Sequence, residues 1–202
     1  MSPQREKSPA AEAAEPPPYS AEERAELLRL AHEAIAANLA GVKLETTPGS
    51  ERLLEPRGAF TTLHLEGKLR GCVGYVYPVK PLYRTVAETA IAAAFNDTRF
   101  LPATAAEAPQ LRIEISVLSP LTPIAAEDIE PGRHGLVVTL GSRRGLLLPQ
   151  VAVEFGWDAS TFLEETCRKA GLPSDAWERG AVIEAFTAEV FHEEGFSDLC
   201  DF

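Results

Sequence analysis

Cysteine is scarce and irregular in this sequence. Cys72, Cys167 and Cys200 are an odd number without C-x-x-C spacing, which excludes a disulfide framework and a structural zinc site of the usual kind. His192 and Cys200 stand eight apart with no further ligands, so no metal is expected. Long apolar runs are also missing: nothing approaches the ~20 residues needed to cross a bilayer. The stretch MSPQREKSPAAEAAEPPP carries no apolar segment of the kind a signal peptide has. A cytoplasmic chain without a membrane role is expected. Positive charge is short as well, with 19 Lys and Arg against 30 Asp and Glu, a net of −11 that opposes attraction to nucleic acid or anionic lipid. The pair Arg143-Arg144 is too short to reverse this. No G-x-G-x-x-G, Walker A or H-E-x-x-H pattern is present, so no cofactor is expected.

What is present is enough apolar content, 45% of residues, to bury the core of one domain with a small lobe attached. Residues 1–19, rich in Ala, Glu, Pro and Ser, are expected to be a disordered tail. Ser20 and Glu23 spell a capping box, and Leu27, Leu28, Ala31, Ala34, Ile35 and Leu39 recur at helical spacing, predicting a helix over 21–40 with His32 on its solvated side. A second helix runs from Pro81 to about Asn96, its alanines allowing close approach to a sheet. Leu111 to Val117 alternates as a strand. Gly135–Leu140 and Gly145–Gln150 predict a second hairpin, and His134 before it is either a base or simply exposed. Asp158 or Ser160 caps a helix that holds Cys167 in the core and ends at Gly171. Val182–Phe191 is expected as one last strand, residues 20–195 as the domain and 196–202 as a tail. The fold class is α+β, a mostly antiparallel sheet flanked by helices, in two subdomains with a cleft between them.

The chemistry concentrates at Leu69-Arg70-Gly71-Cys72-Val73-Gly74. Ala59, Thr61, Leu63 and Leu65 alternate, and the pattern resumes after Glu66-Gly67-Lys68 with Leu69, Gly71 and Val73, which predicts a hairpin. A three-residue loop sets Leu65 opposite Leu69, Leu63 opposite Gly71, Thr61 opposite Val73, Thr62 opposite Cys72 and His64 opposite Arg70. Arg70 and Cys72 then share a face, about 6–7 Å apart at the backbone. A guanidinium there favours thiolate over thiol and raises the fraction available as a nucleophile. Gly71 and Gly74 leave the strand bare for a ligand. Against this stands the plainer reading, in which a strand cysteine is a small core residue and strand glycines mark a bulge or a packing contact.

These residues, with Phe60-Thr61-Thr62-Leu63 before them, resemble the signature of the AMMECR1 domain family, with Val73 where the family has isoleucine. Residues 92–100, 113–120 and 145–152 are similar to the family in the same order, with Thr98 in place of a proline. The likeness runs from about Ser20 to Phe191. It implies an α+β fold with two subdomains, a cleft near the hexapeptide, and no firmly assigned reaction. It further implies partners, Memo-type and radical SAM proteins, in the grouping called AmmeMemoRadiSam, where such a chain is protein A.

Two functions follow. In one, the chain is a binding or accessory component whose cleft at Arg70-Gly71-Cys72 takes a partner or a small anionic ligand. In the other it is a small-molecule enzyme, with Cys72 as nucleophile, Arg70 as thiolate or anion stabiliser, and His64, Glu114 or Asp97 accepting the proton. Asp97 and Arg99 either serve the site or pair with each other at a helix end. Glu114 and Ser116 join the cleft only if their strand lies beside the hairpin, and Gln150 enters solely as a family-motif position.

Overall fold

The computed structural model describes residues 18–193. The expected tails therefore lie outside the described residues, except for Pro18 and Tyr19. Tyr19, assigned to the tail from composition, is buried, with its backbone N–H donated to Glu189 at 3.0 Å.

The first helix, α1 (Ala21–Ala40), starts at the expected capping box and ends at Gly41, whose φ of 66° is the left-handed cap that a residue without Cβ adopts cheaply. His32, expected on the solvated side, is half-buried: it meets Glu193 at 2.8 Å, where residue 193 comes back to this helix. A loop and a short 3₁₀ turn lead to β1 (Ala59–Leu65) and β2 (Lys68–Tyr75), followed by α2 (Leu82–Phe95). β3 (Arg112–Leu118) completes the central strands of the first sheet. The chain then crosses to β4 (Thr122–Pro123) and continues through β5 (Gly135–Leu140), β6 (Arg143–Leu147), α3 (Pro149–Glu154), α4 (Ala159–Lys169) and β7 (Val182–Phe186), before β8 (Ala188–His192) returns to the first sheet.

Two antiparallel four-stranded sheets result, ordered β2-β1-β3-β8 and β4-β7-β5-β6. Two sequence expectations change here. The expected final strand is split at Thr187, so that one run of residues serves both sheets. The expected strand to Gln150 stops at Leu147, since Pro149 cannot donate to a ladder and instead opens α3.

Each sheet has its own core. α1 and α2 cover one face of the first sheet, burying Leu63, Ile113 and Ile115 completely, each contributing about 1.5–3 kcal/mol. α4 covers the second sheet through Phe162, Leu163 and Cys167. A third cluster, Leu118, Val137 and Phe186 with Phe60, Val76 and Leu146 around them, joins the two. The crossings lie side by side: Ser119 N–H donates to the Thr187 carbonyl, and Thr187 N–H donates to Ser119 Oγ, both at 2.9 Å. Among the described residues no helix is long and apolar enough to cross a membrane.

Candidate functional site

The site is built on the β1–β2 hairpin. Thr61, Thr62 and Leu63 lie opposite Val73, Cys72 and Gly71 as alternation predicts, but the loop end differs. Glu66 and Gly67 both take positive φ, 52° and 75°, closing a two-residue turn that sets Leu65 opposite Lys68 and His64 opposite Leu69. Arg70 is the extra residue of a β-bulge and is not opposite His64.

Its guanidinium turns to Glu107, with Nε 3.1 Å from Oε1. Glu107 also accepts from the backbone N–H and hydroxyl of Thr104, both at 2.8 Å. Arg70 first, then Thr104, holds the Glu107 carboxyl down at about 2. The charge expected to stabilise the Cys72 thiolate is thus already matched by a carboxylate. Sequence reasoning missed Glu107 as a site residue, although it stands three residues after Thr104, the spacing of a capping pair.

Cys72 is held elsewhere. β2 is an edge strand, so the N–H and C=O of Cys72 point away from β1. Asp97 Oδ2 accepts the N–H at 2.9 Å, and Arg99 Nη2 approaches the carbonyl at 3.4 Å while pairing with Asp97 at 2.8 Å. The two side chains stand in for one residue of a missing neighbour strand. Arg99, then the N–H of Cys72, holds the Asp97 carboxyl well below the usual carboxylate range, although Asp97 is hidden. Arg99 remains largely exposed, and its own charge is favoured by Asp97 and, more weakly, by Cys72. The two alternatives for Asp97 and Arg99 therefore coincide: they pair with each other, and the pair grips Cys72.

Directly opposed residues share a face, so Cys72, Thr62, Glu114 and His192 form one row across all four strands, about 14 Å from end to end. Gly74, Phe60, Ser116 and Val190 form the next row. The row on the other flank of Cys72, on the same face, holds Leu69, His64 and Arg112. The strand of Glu114 and Ser116 does lie beside the hairpin, and both residues share the Cys72 face. Thr62 Oγ1 donates to Cys72 Sγ at 3.3 Å, and Cys72 is only partly buried. His64 is buried, and desolvation lowers its pKa, leaving the imidazole neutral at pH 7.

This face is apolar at one end, where Leu118, Phe60 and Ala188 pack on Val137 and Phe186 of the second sheet, and polar at the other. The Cys72 row therefore lies on the same face of the first sheet as this junction. On the matching face of the second sheet stand Thr139, Arg144 and Glu184, with the Arg144 guanidinium 4.4 Å from the Tyr77 ring centre.

The two glycines have packing reasons. A Cβ at Gly71 would lie 2.1 Å from the Ala93 carbonyl oxygen, so this strand rests on the α2 backbone and the bare position faces the helix, not a ligand. A Cβ at Gly74 would lie 2.2 Å from the Phe60 ring, which fills that space. Gln150 is exposed on α3 and makes no hydrogen bond to the Cys72 row among the described residues. His134 Nδ1 accepts from the Glu130 N–H at 3.1 Å within its own turn. Among the described residues no three His, Cys, Asp or Glu side chains are grouped to hold a metal ion.

The chain belongs to the AMMECR1 family, whose pattern it matches over residues 28–191. It is similar to protein MK0488 of Methanopyrus kandleri, 46% identical over 180 residues, which cover 83% of this chain and 87% of that protein. A protein of Methanothermobacter thermautotrophicus is 43% identical over 188 residues, 88% of this chain and 98% of that one. The crystal structure of the uncharacterized protein PH0010 from Pyrococcus horikoshii superposes with a TM-score of 0.75 at 42% identity, covering 84% of this chain and 90% of that chain.

Proposed function

We propose that this AMMECR1-family chain is a binding or accessory component that presents the Cys72 row to a protein partner. The Memo-type and radical SAM proteins that the family resemblance implies are the first partners to test. One observation carries the reading: Cys72 is held at three atoms, its N–H by Asp97, its carbonyl by Arg99 and its sulfur by Thr62, yet it stays partly accessible. Side chains fixed before binding lose little entropy on association, which suits a recognition surface. Arg70 supports the bulge through Glu107 and is a positioning residue in this reading.

The test is protection of a thiol. Alkylation of Cys72 by iodoacetamide, followed by mass spectrometry, should slow at least several-fold when a saturating Memo-type or radical SAM partner is added. Buried Cys167 provides the internal reference. An alkylation rate at Cys72 that neither partner changes would remove the proposal.

A second reading, with Cys72 as nucleophile, draws on the Thr62 hydroxyl at its sulfur and the neutral His64 on the same face. Its mark is a covalent adduct at Cys72 after incubation with a small-metabolite extract, absent from Cys72→Ser. If Cys72 stays unmodified while a partner shields it, binding alone stands.

A further inference from the structure

The pair Arg143-Arg144, too short in the sequence to offset the acidic balance, gains a third cation in the fold. β6 is an edge strand of the second sheet, and it rests on the last turn of α4. A Cβ at Gly145 would lie 2.3 Å from the Ala170 backbone nitrogen and 2.6 Å from the Thr166 carbonyl oxygen. Lys169 stands in that turn, and Arg143 Nη1 donates at 3.0 Å to the Gly171 carbonyl just beyond it. Arg143, Arg144 and Lys169 are all exposed.

The way these three are held sets them apart. With 30 acidic and 19 basic residues in the chain, a cation usually meets a carboxylate, as Arg168 meets Glu164 and Glu165. Arg143, Arg144 and Lys169 make no ion pair among the described residues. Arg143 is fixed by a carbonyl. Arg144 is fixed by the Thr139 hydroxyl, which accepts from its Nε at 2.9 Å, and by the Tyr77 ring, whose centre is 4.4 Å from the guanidinium. Glu184 shares the face of Arg144 but stands on β7, with β5 between them, and does not pair with it. Neutral partners orient a guanidinium without cancelling its charge, and they leave it N–H donors for an incoming oxyanion.

Arg143 and Arg144 are successive residues of one strand, so they leave it on opposite faces, one toward α4 and the other toward Tyr77. Between them runs a free edge. The hairpin closes through Gly141 and Ser142, which makes Leu140 and Arg143 its hydrogen-bonded pair and turns the N–H and C=O of Arg144 away from β5. A flat anionic surface meets only one of the two faces. An extended segment laid along β6 meets both, because its successive side chains alternate between the same faces while its backbone takes the free N–H and C=O. Charges on an edge keep unsuitable strands from adding to it, and positive ones select an acidic strand. The net charge of −11 repels a long polyanion such as nucleic acid, whereas a short acidic segment stays within reach of the three cations. We propose that the β6 edge binds an extended acidic segment of a partner protein, with neighbouring carboxylates on Arg143 and Arg144 and the charge of Lys169 adding on the α4 side.

The experiment is fluorescence anisotropy of the full chain in low-salt buffer with a dye-labelled, end-blocked peptide of about ten residues, two adjacent glutamates at its centre between valines and threonines. It should bind with a Kd below about 1 mM. That binding should weaken with added salt and be at least tenfold tighter than that of the same peptide with glutamines at the centre. Arg143→Gln/Arg144→Gln should lower it at least tenfold, and each single change should lower it in part; both side chains are exposed, so these variants should fold. Lys169→Gln should weaken it less, and Cys72→Ser should leave it unchanged. N-methylation of two successive central peptide nitrogens should weaken it at least several-fold, which charge attraction alone does not require. The proposal is overturned if the acidic and glutamine peptides bind alike, if the double variant binds like the parent, or if N-methylation has no effect. It is also overturned if an oligothymidylate of similar length binds and the peptide does not, which would mark a nucleic-acid surface instead. The alkylation test above reads the first sheet, so either proposal can fail alone.

Discussion

Asp97 shows how much of this site depends on one carboxylate. It accepts the outward N–H of Cys72 and orients Arg99, so removing it takes away the acceptor of that N–H. Hydrogen bonds to a charged partner contribute about 1.5–3 kcal/mol each when their loss leaves a group unpaired, and Asp97→Ala should lower unfolding stability in urea by about that amount. The pH dependence has a definite sign. Asp97 and Glu107 both have folded pKa values below their unfolded values of about 4, so their contribution is full above that point. It is lost as pH falls, for Glu107 between about 4.3 and 2 and for Asp97 further down. Urea unfolding at stepped pH should therefore show stability declining below pH ~4, with a shallower decline in Asp97→Ala. A variant whose acid limb matches that of the parent would show that Asp97 does not carry this charge in the folded chain. Arg99→Ala should cost less, because Arg99 is exposed and salt bridges of that kind contribute about 0–1 kcal/mol.

The β1–β2 hairpin is the element on which these residues ride, and its two inner glycines separate two kinds of close packing. Ala at position 71 meets backbone, the Ala93 carbonyl oxygen, which can move only with all of α2. Gly71→Ala should therefore destabilise by about 1–3 kcal/mol or more, with no single side-chain change restoring it. Ala at position 74 meets the Phe60 ring, which can be trimmed. Gly74→Ala should be partly rescued in Phe60→Ala/Gly74→Ala, whose combined cost falls short of the sum of the two single changes. Denaturant midpoints for the four variants measure this directly, and strict additivity at positions 60 and 74 would show that the ring does not occupy that space. The hairpin also shows what the sequence could reveal. Alternation identified the Thr62–Cys72 and Leu63–Gly71 pairs because a slip of one residue would send Leu63 to the wrong face. The bulge at Arg70 was hidden, since it follows from Glu66 accepting a left-handed φ that composition does not signal. Glu107 escaped for a related reason: its contact with Arg70 spans 37 residues, and only tertiary packing closes that distance.

At the scale of the molecule, the same limit explains why the two sheets were not separable by eye. The run from Val182 to His192 alternates like one strand, and only the pairing of Thr187 with Ser119 shows where it leaves one sheet for the other. The two cores consequently meet through a small apolar junction, Leu118, Val137 and Phe186 with their neighbours, and through two chain crossings. That junction should determine whether the protein unfolds as one unit. Both tryptophans, Trp157 and Trp177, pack on the second core, whereas Cys72 lies on the first sheet. Tryptophan fluorescence and the alkylation rate of Cys72 thus report on different halves of one chain. In the parent protein their denaturant midpoints should coincide, as an all-or-none transition requires. Val137→Ala removes two methyl groups at the junction, at a cost of about 1–3 kcal/mol. It should pull the two midpoints apart. Leu163→Ala, inside the second core, should cost about 2–5 kcal/mol and move both midpoints together. Coincident midpoints in Val137→Ala would mean that the crossings alone couple the halves, and Ser119→Ala, which removes the acceptor of the Thr187 N–H, would then be the variant that separates them.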